Sequence, residues 1–191
     1  VSAGTLVVDN SAALGTTAGG TVVESGATLQ ATAGISIADA LTLSGTGVNG
    51  AGALVASGNG TVTASGAITL GAATTVAASD ADTILSLSNN IAGTYGLTKA
   101  GTGMLSLGGN SQSFTTLTIG AGSLSAGLDA NLGSDAVILE DGTLWSIANN
   151  GGTIDNAIVL NGSAVLSASL NTTLAGGISG SGSLTKQSNG T

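Results

Sequence analysis

The chemistry available to this 191-residue sequence rests on ten acidic side chains, two lysines and three aromatics. Asp80 and Asp82 form an Asp-Ala-Asp, and Glu140-Asp141 is a second acidic pair. Paired carboxylates could hold calcium weakly through oxygen ligands. They could also share acid and base work in glycoside hydrolysis. The glycine–aspartate nonapeptide of calcium-binding β-rolls is absent, and both pairs read first as solvated turn acids. Lys99 and Lys186 each close a Leu-Thr-Lys triplet, at equivalent positions of a repeated motif. Lys99 shares a face with Leu97 if the strand stays straight. We expect the chain to turn there and the ammonium to reach water. A catalytic lysine needs a buried or cationic setting, and nothing in the flanking residues suggests one. Trp145, Tyr95 and Phe114 do not cluster as a carbohydrate platform would. They read as lone residues capping a ladder or filling a wide corner. Asn89-Asn90 and Asn149-Asn150 suit interior amide ladders or corners equally well. Gly101 and Gly103 precede no helix, so a nucleotide loop is dismissed. No catalytic, cofactor-binding or metal-ligating residue is assigned, and the chain is read as a non-enzyme without cofactor.

Composition supports that reading. Cysteine and histidine are both zero, which removes disulfide frameworks, Cys–His zinc sites and Ser–His–Asp triads. Two lysines against ten acids give a net charge of −8. Nucleic acid is excluded as a partner, because phosphate contact relies on Lys and Arg. No apolar run is long enough for a membrane-spanning helix. Collagen fails for want of proline and of a strict glycine period. Disorder is the remaining competitor, since Gly, Ser and Asn abound. A chain that is 42% hydrophobic and only 6% charged is too apolar to stay unfolded through charge.

Short strands must therefore position whatever the chain presents. Apolar residues alternate with Ser or Thr in Ile35-Ser36-Ile37, Leu41-Thr42-Leu43, Leu85-Ser86-Leu87, Leu105-Ser106-Leu107 and Leu117-Thr118-Ile119. Such alternation places apolar side chains on one face of a strand. The runs return every 8–12 residues or so between Gly, Asn, Ser and Asp, and no helix is expected. With one Phe, one Tyr, one Trp and one Met, a sandwich or closed barrel lacks large core residues. A solenoid needs only a few small inward side chains per coil.

Internal parallels agree. Gly4-Thr5-Leu6 matches Gly122-Ser123-Leu124, Val22-Val23 matches Val137-Ile138, and Ile37–Gly45 matches Ile154–Gly162, at offsets of 118, 115 and 117. Leu97-Thr98-Lys99 recurs as Leu184-Thr185-Lys186 at an offset of 87. The chain is expected to be a single solenoid segment over 1–191, about one and a half long units. About one extra coil is placed within 46–95. Val1 starts mid-pattern, and the segment is read as a fragment of a longer repeat protein.

The stretch Gly96-Leu97-Thr98-Lys99-Ala100-Gly101-Thr102-Gly103-Met104-Leu105-Ser106-Leu107-Gly108-Gly109-Asn110 resembles the passenger-associated transport repeat of bacterial autotransporters. Thr116-Leu117-Thr118-Ile119-Gly120-Ala121-Gly122-Ser123-Leu124 continues it. Val1–Leu6 resembles the tail of the motif, and Leu184–Thr191 its head. The resemblance covers about a third of the chain. Around Phe114 the family's Tyr and following glycines are missing, which leaves the turn there open. The resemblance implies a right-handed parallel β-helix of about 8–10 coils, on an exported surface protein that crosses the outer membrane unfolded through a C-terminal β-barrel. Absence of cysteine suits that route. The function so implied is a non-catalytic stalk, spacer or adhesin passenger, extracellular or at the cell surface. Its partners would be neighbouring coils, and self-association into filaments or a host or cell-surface ligand comes with that role. One alternative is an ice- or surface-binding face built on Thr61-Val62-Thr63 and Thr116-Leu117-Thr118, though these tripeptides do not recur once per coil. A polysaccharide-acting β-helix enzyme is disfavoured, because no Arg and no acid cluster is present.

Overall fold

The computed structural model describes residues 1–147, 152–168 and 170–188. It is an all-β solenoid of about nine turns, built from parallel strands. The only helical pieces among the described residues are two single 3-10 turns, Val48–Gly50 and Asp129–Asn131. None is long and apolar enough to cross a membrane.

Each coil has three faces. The first face stacks β1 (Gly4–Val8), β3 (Ala27–Thr32), β6 (Leu54–Ser57), the end of β8 (Ile68–Ala78), β11 (Leu97–Ala100), β13 (Leu117–Ile119), β15 (Val137–Leu139), β18 (Ile158–Leu160) and β21 (Ile178–Gly180). The second stacks β4 (Ser36–Ile37), β7 (Gly60–Ala64), β9 (Thr83–Leu87), β12 (Met104–Leu107), β14 (Ser123–Ser125), β16 (Thr143–Ile147), β19 (Ser163–Ala168) and β22 (Ser183–Gln187). The third joins β2 (Thr21–Val23), β5 (Leu41–Gly45), the start of β8 and β10 (Ile91–Ala92), and further along β17 (Gly152–Ile154) and β20 (Thr172–Leu174). Between them the third face is carried by single bonds such as Ser113 N–H to Ile91 O and Ser134 N–H to Phe114 O, each 3.0 Å.

Alternation explains the core. On the first face Leu6, Leu29, Leu54, Val76, Lys99, Ile119, Leu139, Leu160 and Gly180 form one continuous column. On the second, Val62, Leu85, Leu105, Leu124, Trp145, Leu166 and Lys186 form another. These inward positions are almost all buried away from the two end coils, so each coil gains its stability mainly from the coils above and below. The first-face column advances by 23, 25, 22 and 23 residues as far as Lys99, then by 20, 20, 21 and 20. Coils before Lys99 are thus longer than those after it.

The long sequence offsets do not mark equivalent places in this stack. Leu6 lies on the first face and Leu124 on the second. Leu97 lies on the first and Leu184 on the second. What repeats is a corner type. Ser65 and Gly66 both donate backbone N–H groups to Ile37 O, and Ala175 and Gly176 both donate to Ile154 O. A Cβ on Gly66 would sit 2.0 Å from Asp39 O, and one on Gly176 2.0 Å from Asn156 O. The two corners join different pairs of faces, yet the same Ile-x-(Asp/Asn)-Ala sequence builds both.

Candidate functional site

Lys99 departs from the sequence expectation. The strand does stay straight, so the side chain points into the core with Leu97 and is completely buried. It replaces an aliphatic rung between Val76 and Ile119. Its ammonium donates to Gly101 O at 2.8 Å, to Ala121 O at 2.8 Å and to Ala100 O at 3.3 Å. Two acceptors belong to its own corner and the third to the next coil. Gly101 turns with φ +76, and a Cβ there would sit 2.1 Å from Ala78 O, so glycine is what lets this corner close over the amine. Burial without a carboxylate partner lowers the Lys99 pKa from 10.5 to about 8. The setting is buried, which a reactive lysine needs, but a wholly enclosed amine is out of reach of an external carbonyl. Lys186 is not its counterpart. It stands on the second face, is exposed, and donates to Ser188 O at 3.0 Å.

Of the two acidic pairs, Glu140-Asp141 bonds to the stack through its side chains. Asp80 and Asp82 occupy the corner between first and second faces, and Glu140 and Asp141 the same corner three coils further on. Strand spacing puts the pairs about 14 Å apart, beyond the ~5–9.5 Å of a glycosidase dyad. Asp141 Oδ1 accepts from Ser163 N–H and Glu140 Oε1 from Asn161 Nδ2, both at 2.8 Å and both one coil on. Among the described residues no three acidic groups gather to hold a metal.

Trp145 is fully buried inside the second-face column, and Phe114 is buried on the third face. Tyr95 alone is exposed. The turn left open around Phe114 is built on Gly133: a Cβ at that glycine would lie 2.5 Å from the Phe114 ring. Asn89 and Asn90 are corner residues. Asn89 Nδ2 donates to Ser65 O, and Asn90 Oδ1 accepts from Asn110 N–H. Asn149-Asn150 lies outside the described residues.

The outward side of the second face carries a feature that the sequence motifs do not reveal. Ser36, Thr63, Ser86, Ser106, Ser125, Ser146, Ser167 and Gln187 stand one above another, one per coil. Beside them run Thr61, Ile84, Met104, Ser123, Leu144, Val165 and Thr185. Serines at corners turn their hydroxyls back onto the preceding coil, as Ser65 does to Ile37 O, Ser79 to Ala56 O and Ser88 to Ala64 O. The hydroxyls of Ser86, Ser106, Ser125, Ser146 and Ser167 make no such bond among the described residues. The signal is present in the sequence as apolar–Ser–apolar triplets about 20 residues apart. The Thr-x-Thr pattern conceals it: Thr61 and Thr63 lie on the second face, whereas Thr118 lies on the first.

Comparison with known proteins finds no matching family model, no matching curated protein and no matching solved structure.

Proposed function

We propose that the chain is a non-catalytic structural segment of an exported bacterial surface protein, acting as a stalk or spacer that presents its outer faces. The observation that carries this reading is the continuity of the inward columns through about nine turns. Several charged side chains hold neighbouring coils together: Asp141 and Glu140 bridge to the next coil, and Lys99 ties its corner to Ala121. A stack of this kind grows by nearest-neighbour interfaces and makes a rod of adjustable length. The transport-repeat resemblance and the absence of cysteine support export through an outer membrane. Self-association into filaments belongs to the same reading. Negative-stain microscopy of the protein extracted from its source tests it. Rods or uniform fibres, removed from intact cells by external protease, are the expected result. Globular particles, or protease protection in intact cells, would overturn it.

A further inference from the structure

We infer that Asn49 is a self-modification site, where the side-chain amide is lost to attack by the Gly50 backbone nitrogen and an aspartate or isoaspartate takes its place. The inference does not depend on reading the chain as a surface segment.

The chemistry needs an asparagine followed by a residue whose nitrogen is unhindered, and glycine, lacking a Cβ, is the least hindered. Gly50 N bonds to Asn49 Cγ and gives up its proton to water. The Cγ–Nδ2 bond breaks, and Nδ2 leaves as ammonia. Water then opens the resulting succinimide at either carbonyl. One opening gives aspartate. The other gives isoaspartate, with the main chain rerouted through the side-chain carbonyl. Nothing is oxidised or reduced, and water is the only co-reactant.

The sequence holds five Asn-Gly pairs, at 49–50, 59–60, 150–151, 161–162 and 189–190. The pairs at 150 and 189 lie outside the described residues. The fold separates the other three. Gly60 N–H donates to Asp82 O at 3.0 Å, and Gly60 pairs with Thr83 of the next coil, so the nitrogen that would attack Asn59 is held in a ladder. Asn161 Nδ2 donates to Glu140 Oε1 at 2.8 Å, and the Asn161 backbone N–H donates to Leu139 O at 3.0 Å. Gly162 is pressed against the preceding coil, where an added Cβ would lie 2.5 Å from Asp141 Cβ.

Asn49 has none of these restraints. Asn49 and Gly50 are exposed in the loop 46–52 between β5 and β6. The Asn49 side chain makes no hydrogen bond among the described residues. Gly50 N–H reaches only Gly47 O, at 3.4 Å, and nothing stands within 4 Å of where a Gly50 Cβ would be. Asn49 is held at φ +51, in the left-handed region that is unfavourable for a residue with a Cβ. The base of the loop is anchored instead. Val48 N–H donates to Thr28 Oγ1 at 2.9 Å, the Thr28 hydroxyl donates to Gly52 O at 2.9 Å, and Gly52 N–H donates to Thr46 O at 2.8 Å. The tip can therefore turn over while the ladders between coils stay intact. Conversion adds one more negative charge to a chain of net charge −8. Isoaspartate also adds a methylene to the main chain inside the anchored loop.

The test is peptide mapping of the intact chain aged in mildly alkaline buffer, beside the same chain unfolded in guanidinium chloride. In the folded chain the Asn49 peptide should convert at close to its unfolded rate. Folding should slow Asn59 and Asn161 by about tenfold or more, because each must first break out of its restraints. Isoaspartate should outnumber aspartate at 49, the mark of a succinimide. Gly50→Ala should slow conversion of Asn49 severalfold by crowding the nitrogen, and the comparison of folded with unfolded wild type stands even if that variant misfolds. Folding that protects Asn49 as strongly as Asn59 and Asn161, or conversion of either of those first, overturns the inference. Aspartate without isoaspartate at 49 means direct hydrolysis and overturns it too.

Discussion

The ammonium of Lys99 donates to the carbonyl of Ala121 across 2.8 Å, binding one coil's corner to the next from inside the core. A cation thus stands in a column whose other rungs from Leu6 to Leu160 are all Leu, Ile or Val. Three carbonyls replace its water, and no carboxylate accompanies them.

Truncating this side chain should be costly. Lys99→Ala leaves a cavity between Val76 and Ile119 and strands the carbonyls of Gly101 and Ala121. A loss of about 2–4 kcal/mol in urea unfolding is expected. Lys99→Met keeps the volume and removes the buried charge, so it should cost clearly less than the alanine change. Equal losses for the two would mean that the carbonyl contacts dominate.

The same amine sets a pH dependence. Its pKa falls to about 8 in the fold from 10.5, so between those values the unfolded chain binds more protons. Stability should therefore rise as pH climbs from about 8 to about 10.5, and be flat in this contribution below pH 8. Subtracting the Lys99→Met curve isolates this contribution. A flat difference between urea midpoints at pH 7.5 and pH 10 would contradict the burial.

Trp145 is the only tryptophan and sits between Leu124 and Leu166 in the second-face column. Its fluorescence should be blue-shifted and shielded from iodide until the chain unfolds. Trp145→Ala should cost about 3–5 kcal/mol. Red-shifted, readily quenched emission in the native protein would place the ring outside the column.

Two glycines with positive φ separate conformational strain from collision. Gly142 has φ +72 and open space where an alanine methyl would stand, whereas Gly133 has φ +81 and the Phe114 ring 2.5 Å from that position. Gly142→Ala should cost about 1 kcal/mol, the penalty of a left-handed backbone. Gly133→Ala adds a steric clash and should cost severalfold more, read as a drop in thermal midpoint.

Much of the architecture was legible because period-two alternation is a local property. Leu85-Ser86-Leu87, Leu105-Ser106-Leu107 and Leu117-Thr118-Ile119 all lie on strands with the predicted residues inward. Coil counting was harder, because Gly4-Thr5-Leu6 and Gly122-Ser123-Leu124 look alike yet occupy different faces. Corner-and-strand sequences suit any face of a three-sided coil, so similarity alone does not reveal which face is meant. Lys99 escapes a sequence reading for a different reason. A lysine after Leu-Thr suggests an exit to water, and only the three-dimensional corner shows carbonyls arranged to receive it. The serine column was hidden because its members are separated by whole coils, and only strand register brings them together.

The backbone ladders that join successive coils run along the rod rather than across it, which gives the molecule a mechanical grain. Tension applied between its ends loads the inter-coil bonds a few at a time, so the rod should come apart from an end, one turn after another. Each turn beyond Lys99 would release about 20 residues, or about 70 Å of extended chain. The longer turns before it would release somewhat more. A force trace would then read as a ruler of coil lengths, with a change of step near Lys99.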